Sequence, residues 1–173
     1  MPKLLSRRQI IATSISQSEF APYGQLILPT SDDKPFDDTD ARLKLDRGTP
    51  RFYLMRLKNR GRTFSRITRH SLCTQCLGSL SGAEWYLAVC PPSEQLEPDL
   101  TDLKAFRIPG NCFVKLEAGT WHAGPYFDAA MVDFYNLELS DTNVADHFTY
   151  NFATQKNIEF EIIDRKANSY PNR

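Results

Sequence analysis

The feature that most constrains this chain is a succession of short apolar segments, each closed by glycine, proline or polar turn residues. Residues 51–57 alternate loosely, with Tyr53, Met55 and Leu57 on one side, as in a half-buried strand. Neither a strand–helix–strand rhythm nor an internal repeat is visible, so the pattern predicts an all-β antiparallel sandwich or barrel. The predicted strands are 25–28, 51–57, 64–70, 85–90, 112–116, 131–139 and 158–163, after a loosely held first strand within 1–11.

Helical signals are few and short. Ser16 to Glu19 has the spacing of a capping box and predicts a short helix through Phe20. Residues 99–106 predict a second helix, with Asp99 as N-cap and leucines and a phenylalanine on one face. Residues 143–151 suit a short helix or a loop. The acidic stretch 30–48 predicts a long loop, either a solvated excursion or a lid over a nearby pocket.

Length and charge set broad limits on the class of protein. With 173 residues, the chain is predicted to form a single domain over 1–173, with flexible ends at 1–11 and 166–173. Basic and acidic residues number 21 each, so no net charge attracts nucleic acid or an anionic membrane. No apolar run approaches the roughly 20 residues of a membrane helix, and no signal-peptide core is visible. We therefore expect a cytoplasmic protein.

Cys73 and Cys76 form a Cys-x-x-Cys pair, which on its own is a weak signal. A zinc framework needs a second ligand pair, and a thioredoxin-like site needs a βαβ context that this chain lacks. Free cysteine commonly serves as a small core residue. We interpret both thiols as structural.

Two runs of the chain carry the strongest chemical signal, residues 69–75 and 119–125. They contain His70, Gln75 and His122, and imidazole both binds metal ions and moves protons near neutral pH. In a regular strand His70 and Gln75 would face opposite ways, so a shared site requires a bend or bulge between them. Our hypothesis is one site built from both runs.

Other side chains are candidates for the same site. Asp133 lies in an otherwise apolar strand, where a carboxylate must be paired with an arginine or face a cavity. Trp121 is interpreted as core or as a pocket wall, with core favoured for so large an aromatic side chain. The cationic side chains that could bind an anion are Arg66, Arg69, Arg107 and Lys115, and the sequence does not choose among them.

Five blocks of sequence, in this order, resemble the ureidoglycolate lyase (older name ureidoglycolate hydrolase) family of cupin-like proteins. The second block, His-Ser-Leu-Cys-Thr-Gln, is similar to the family's His-Pro-Leu-Gly-Thr-Gln. The blocks span most of the chain and together make the resemblance moderately specific. They are residues 20–24, 70–75, 98–106, 119–122 and 132–134.

The resemblance implies a fold and an activity. The fold would be a double-stranded β-helix, the cupin barrel, and the enzyme would split ureidoglycolate into glyoxylate and urea in purine and allantoin nitrogen salvage. It would act in the cytoplasm, commonly as a homodimer, on a small-molecule carboxylate and without nucleic acid or membrane. A divalent metal ion, nickel or manganese, would be held by His70, Gln75 and His122.

Combined with the residue-level reasoning, the resemblance gives a set of expected site residues. The catalytic candidates are His70, Gln75, His122 and Asp133, and the substrate-binding candidates are Arg69, Thr74, Trp121 and Lys115.

The chain also departs from the family pattern, at Ala123-Gly124 and at residues 136–138. These departures leave two alternatives to an active lyase. One is a catalytically altered cupin that binds a small carboxylate metabolite as a sensor, and the other is a non-catalytic scaffold.

Overall fold

The computed structural model describes residues 4–164. Short strands dominate this range, which confirms the predicted all-β class. Residues 6–11 belong to the first strand, in agreement with the strand expected within 1–11. The flexible end expected at 166–173 lies outside the described residues. The strands are β1 (Ser6–Ser14), β2 (Gly24–Ile27), β3 (Pro50–Lys58), β4 (Thr63–Phe64), β5 (Arg66–Arg69), β6 (Gln75–Ser79), β7 (Gly82–Cys90), β8 (Lys104–Gly110), β9 (Phe113–Leu116), β10 (Trp121–Tyr126), β11 (Met131–Leu139), β12 (Phe148–Asn151) and β13 (Ile158–Asp164).

The strands form two sheets that curl around a common interior, as in cupin-like folds. The larger sheet has the order β12-β5-β10-β7-β8-β1-β13-β4, and the smaller has the order β2-β9-β6-β11-β3. Most neighbouring strands are antiparallel, as predicted. Strand β1 differs, because it pairs in parallel with both β8 and β13.

The centre of the larger sheet is buried on both faces. Its central strand β7 is buried from Trp85 to Cys90. Trp85, Leu87 and Val89 pack in the interior between the sheets, and Tyr86 and Ala88 pack in a second cluster on the opposite face. This double burial explains why β7 reads as a continuous apolar run rather than an alternating one.

Three short helices accompany the strands within the described residues, namely α1 (Gln17–Phe20), α2 (Thr142–Ala145) and α3 (Phe152–Lys156). The predicted helix and its N-cap at Ser16 are confirmed, since the Ser16 hydroxyl accepts the backbone N–H of Glu19 and donates to the Glu19 carboxylate. None of the helices that the structure describes is both long and apolar enough to cross a membrane.

The predicted helix over 99–106 was wrong. Asp99 does cap a turn, but that turn is a 3-10 helix of three residues, Leu100–Asp102, and the chain then enters β8. Strand β8 is hydrogen-bonded between β7 and β1. Its consecutive residues Ala105 and Phe106 are both buried, one on each face of the sheet. A strand buried on both faces and a short helix have similar apolar patterns. Here the hydrogen bonds to β7 and β1 make the segment a strand.

Two other expectations need correction. The segment around Trp121, between the predicted strands 112–116 and 131–139, was not predicted to be a strand, but it is strand β10, paired with β5 and β7. The run that begins at Gln75 is strand β6, which sequence patterning did not separate from the preceding turn. Residues 143–151, left open as helix or loop, contain the end of α2 and strand β12.

Candidate active site

A cavity of about 320 Å³ opens at one end of the interior between the two sheets. The small sheet supplies one wall from β3, β6 and β11, and β5 and β10 of the large sheet supply the other. The alternating side chains Tyr53, Met55 and Leu57, predicted to share one face, all line it. The lining residues are Tyr53, Met55, Leu57, Arg60, Thr68, His70, Gln75, Leu77, His122, Gly124, Pro125, Asn136, Glu138, Asn143 and His147.

The structure brings His70, Gln75 and His122 to this single cavity. The ring centroids of the two histidines are 5.1 Å apart. His70 follows the end of β5, Gln75 opens β6 and His122 is the second residue of β10. The bend that the sequence required is the turn over residues 70–74, which carries the chain from the large sheet to the small one.

The His70 imidazole is held by Asp146, the residue that follows helix α2. Its Nδ1 donates to the backbone carbonyl of Asp146, so Nε2 keeps its lone pair while the ring is neutral. The Asp146 carboxylate accepts the backbone N–H groups of Ser71 and Leu72 at 2.8 and 2.7 Å, which fixes the turn beside the ring. Burial lowers the pKa of His70 below its ordinary value, and the nearby His147 adds to the effect.

His122 has a similar arrangement on the adjacent strand of the same sheet. Its Nδ1 donates to the backbone carbonyl of Thr120 at 3.2 Å, which leaves Nε2 for a ligand. Burial, with a contribution from His70, lowers the pKa of His122 to about 3. Both rings are therefore neutral at neutral pH, and each has an unprotonated Nε2 that can accept a hydrogen bond or bind a ligand.

A buried carboxylate organises the small-sheet wall. Glu138 is 1% exposed, and its oxygens accept hydrogen bonds from Gln75 Nε2 at 2.8 Å, Tyr53 Oη at 3.2 Å and Asn143 Nδ2 at 3.2 Å. The Tyr53 hydroxyl in turn accepts Asn136 Nδ2 at 2.9 Å. Two buried amide oxygens of this wall, Gln75 Oε1 and Asn136 Oδ1, have no hydrogen-bond partner among the described residues.

Asp133 was expected in the site, and the structure places it elsewhere. On β11 the inward residues are Val132, Phe134 and Asn136, so Asp133 projects from the outer face of the sheet. There its two oxygens accept Arg56 Nε and one of its terminal nitrogens at 2.8 and 2.9 Å. The alternative of a structural ion pair is the one observed.

Arg69 and Trp121 also lie away from the cavity. The neighbours of each in its strand face the cavity, so these two side chains lie on the far side of the large sheet. The guanidinium of Arg69 lies 4.6 Å from the Trp121 ring centroid and donates to the carbonyls of Ser93 and Glu94. Trp121 Nε1 donates to the Ser93 hydroxyl at 3.0 Å, so this tryptophan is core.

Thr74 and Lys115 are the remaining expected substrate contacts, and neither lines the cavity. The Thr74 hydroxyl accepts the backbone N–H of Lys44 at 2.9 Å, which ties the long loop to the start of β6. Lys115 lies between two core-facing residues of β9 and pairs with Glu117. No residue of the acidic stretch 30–48 lines the cavity, so the structure favours the surface excursion over the lid.

The two cysteines of the Cys-x-x-Cys pair do not form a common site. Cys73 is buried with its sulfur 3.5 Å from the Thr142 hydroxyl, and Cys76 lies on β6, where burial raises the pKa of its thiol to about 11. Neither lines the cavity, in agreement with a structural role.

Sequence reasoning missed several lining residues. Arg60, in the turn after β3, is the one cationic Lys or Arg side chain that lines the cavity within residues 4–164. His147, the third histidine, lies after α2 with its ring centroid 5.4 Å from that of His70. A usable signal existed for Asn136 and Glu138, because they continue the inward alternation of β11 from Phe134. No comparable periodicity marks Arg60 or His147, which lie outside the strands.

The departure at Ala123 does not remove a group from the cavity. Ala123 is 6% exposed and packs in the cluster on the far side of the large sheet. Its neighbours His122 and Gly124 are the ones that line the cavity. A side chain at this position would therefore face away from the site.

The donors of the cavity can be compared with those a divalent ion requires. The His70 and His122 centroids, 5.1 Å apart, lie within the roughly 6 Å that two imidazoles sharing one ion allow. Gln75 Oε1 adds an unpartnered oxygen. Among the residues described, no cluster of three or more His, Cys, Asp and Glu side chains is arranged to hold a metal. Two imidazoles and one amide oxygen supply at most three ligands, a set from which only weak binding of a nickel or manganese ion would be expected.

Comparison with known proteins tests the resemblance found in the sequence. No curated protein matches the chain. Residues 7–159 match the family described as ureidoglycolate lyase, a span that includes every residue lining the cavity. The resemblance seen in the five sequence blocks is thereby confirmed: the chain belongs to the ureidoglycolate lyase family.

Proposed function

We propose that the protein is an enzyme that cleaves ureidoglycolate to glyoxylate and urea. The observation that supports this most directly is the pair of neutral imidazoles, His70 and His122, whose Nδ1 atoms are engaged by backbone carbonyls and whose Nε2 atoms remain for a ligand. Family membership supplies the substrate.

Ureidoglycolate carries a hydroxyl and a ureido nitrogen on one carbon. Cleavage removes the hydroxyl proton, forms the carbonyl of glyoxylate, breaks the carbon–nitrogen bond and returns a proton to the departing urea nitrogen. One base can do both transfers, because the proton lost by oxygen is the proton gained by nitrogen. We assign this relay to His70 Nε2.

His122 is the less suitable of the two rings for moving the proton. With its pKa lowered to about 3, it is a weak base and is not an imidazolium at neutral pH. The shift at His70 has the same direction, but the Asp146 carbonyl and carboxylate oppose it and favour the protonated ring. His122 instead accepts a hydrogen bond from substrate.

Arg60 is the proposed partner of the substrate carboxylate. Arg60 is one of the exposed residues that line the cavity, and the opening beside it is called the mouth of the cavity below. Its guanidinium lies 5.0 Å from the Tyr126 ring centroid. A guanidinium binds a carboxylate through two parallel hydrogen bonds, which holds the acid end of the substrate at the opening.

Where a nickel or manganese ion is bound, His70, His122 and Gln75 would hold it. The ion would lower the pKa of the substrate hydroxyl. Gly124 and Pro125 would still form the wall beside His122.

Turnover tests the proposal directly. The purified protein is incubated with ureidoglycolate, with EDTA or with nickel or manganese, and glyoxylate is followed against the uncatalysed rate. We expect glyoxylate to form, and we expect His70→Asn to reduce kcat by about 100-fold or more, the usual contribution of a positioned base. The exposed, outward-facing Arg56→Gln serves as the control and retains turnover.

Absence of glyoxylate with every ion would overturn the lyase proposal. Stabilisation by glyoxylate in a thermal-shift measurement, without turnover, would then support the carboxylate-binding alternative, because a ligand that binds the folded state raises its stability. Neither turnover nor stabilisation would leave the scaffold alternative.

A further inference from the structure

The buried carboxylate of Glu138 determines which way two neighbouring amides point. A carboxylate only accepts hydrogen bonds, so the Gln75 group at 2.8 Å from Oε2 must be its NH₂. Tyr53 donates its hydroxyl hydrogen to Oε1, so the group 2.9 Å from Tyr53 Oη must be the NH₂ of Asn136. Both amide oxygens are therefore turned away from Glu138.

The two oxygens left over are an unusual feature of the cavity wall. Gln75 is 8% exposed and Asn136 is 2% exposed, and neither Oε1 nor Oδ1 has a partner within residues 4–164. Buried polar atoms in native proteins are almost always hydrogen-bonded, to protein, water or ligand. Because both residues line the cavity, a bound ligand that donates hydrogen bonds would satisfy them.

The ligand chemistry follows from this arrangement. Gln75 Oε1, Asn136 Oδ1 and the Nε2 atoms of His70 and His122 are all acceptors, so this part of the cavity prefers a group rich in N–H. A ureido end carries three N–H donors, whereas a carboxylate carries none at neutral pH. The only cationic Lys or Arg side chain that lines the cavity in the described part of the chain is at its mouth, on Arg60.

We propose that Gln75 Oε1 and Asn136 Oδ1 accept the N–H groups of the substrate's ureido end and that Glu138, through Tyr53, is the residue that positions them. This inference rests on the proposed function for the identity of the substrate. It assigns a direction to binding, with the ureido end inward and the carboxylate at Arg60. Specificity against acids that lack the ureido group then comes from these two amides.

Two non-reactive probes of matched shape test the recognition. N-carbamoylglycine carries the ureido group and a carboxylate, and N-acetylglycine replaces the terminal NH₂ by a methyl group. Calorimetric titration of the whole protein in EDTA should give a Kd at least about tenfold lower for N-carbamoylglycine, since a site built to bind an N–H rejects the analogue that lacks it.

Variants of the wall should change that ratio and not merely the affinity. Asn136→Leu and Gln75→Met each remove one acceptor and should bring the ratio of the two Kd values toward one. Tyr53→Phe keeps both oxygens but frees the Asn136 amide, so a smaller fall is expected. Glu138→Gln should also lower the ratio, because the NH₂ that replaces one carboxylate oxygen is a donor and can no longer accept the hydrogen bond from Gln75 or from Tyr53.

Tyr135→Phe is the matched control, because it deletes a phenol hydroxyl from the outer face of the same strand, where Tyr135 stacks on Phe52. It should retain the wild-type ratio. Circular dichroism and thermal unfolding of every variant identify any that fails to fold. If Asn136→Leu and Gln75→Met fail to fold, the Kd ratios of Tyr53→Phe and Glu138→Gln test the inference instead.

The outcomes separate this inference from the proposed reaction. A wild-type ratio near one, an unchanged ratio in Asn136→Leu, or a preference that appears only with nickel overturns the inference, the last because Gln75 Oε1 would then serve an ion. Glyoxylate formation together with any of these leaves the lyase proposal standing. A tenfold preference for N-carbamoylglycine without glyoxylate formation supports recognition of the ureido group and contradicts the proposed lyase reaction.

Discussion

Strand β11 carries two carboxylates on opposite faces of the small sheet, and their surroundings differ completely. Asp133 projects outward, pairs with the largely exposed Arg56 and is reached by solvent. Glu138 projects inward, is 1% exposed and is held by three neutral donors, with no cation among its partners in the described residues. Two chemically similar groups on one strand thus have different physical roles.

The difference shows what burial does to a polar side chain. An exposed ion pair is screened by water and contributes little to stability. A buried carboxylate has lost its water, so its oxygens must accept hydrogen bonds from protein donors. On the inner face of β11, hydrogen bonds to Glu138 therefore fix the side chains of Tyr53, Gln75 and Asn143. On the outer face, the Asp133 carboxylate pairs with Arg56 in contact with solvent. Substitutions on the two faces should consequently have very different effects.

The largest expected difference is between Glu138→Leu and Asp133→Leu. Removing Glu138 leaves three donors without their acceptor, at about 1 kcal/mol or more each, so we expect a loss of about 3 kcal/mol in the free energy of unfolding. Asp133→Leu should change that free energy little, because its pair is exposed. Urea denaturation of both variants measures it, and equal losses would contradict the comparison.

The second contrast involves the two arginines at the end of β3. Arg56 faces outward, and Arg60, beyond the end of the strand, lines the cavity mouth. Losing a charge-assisted pair with substrate should raise KM about tenfold or more in Arg60→Ala, with kcat changed less. Steady-state kinetics with Arg56→Ala as the control tests this, and an unchanged KM in Arg60→Ala would rule out the assigned carboxylate contact.

The third contrast is in pH dependence. The pKa of His122 is lowered to about 3 and that of His70 is also lowered, so the unfolded chain, with histidine near 6.5, binds more protons than the folded one as pH falls. The histidine contribution is present above pH 6.5 and lost progressively below it, by about 1–2 kcal/mol at pH 5 for His122.

Thermal unfolding between pH 7.5 and pH 5 measures this loss. His122→Asn should reduce the fall in Tm, and Asp133→Asn should not, because Arg56 lowers the pKa of the Asp133 carboxyl and keeps it ionised throughout this range. The same fall in Tm in all three proteins would show that the buried ring is not responsible.

The smallest effect is expected from Leu54→Thr on the outer face of β3. Leu54 is 57% exposed, so the substitution should change the free energy of unfolding by no more than about 0.5 kcal/mol. Leu77→Ala, on the inner face of β6, should cost about 2 kcal/mol or more because Leu77 is 2% exposed. Denaturant titration of this pair extends the comparison to side chains without charge.

Sequence patterning predicted much of the fold where one face of a strand meets solvent. Strand β11 was predicted over the residues it occupies, and the inward set of β3 was identified from its alternation. Patterning was wrong over residues 99–106, where β8 is buried on both faces and loses the alternation that identifies a strand. The missed strand β6 is short and begins directly after a turn.

By itself, the sequence determined the chemical groups available and the family. Histidines, amides and carboxylates at set positions in five blocks were enough to indicate an all-β fold and to single out His70, Gln75 and His122. The family match confirms the predicted family, and the β-rich architecture confirms the predicted all-β fold.

Tertiary structure alone decided which side chains share the cavity. Arg60, His147 and Glu138 reach it from a turn, a post-helical segment and the far end of β11, while Asp133, Arg69 and Lys115 lie outside. In a strand, one residue of offset reverses the face, so a local pattern names candidates without placing them. Placement follows from the packing of the two sheets, which depends on contacts far apart in the chain.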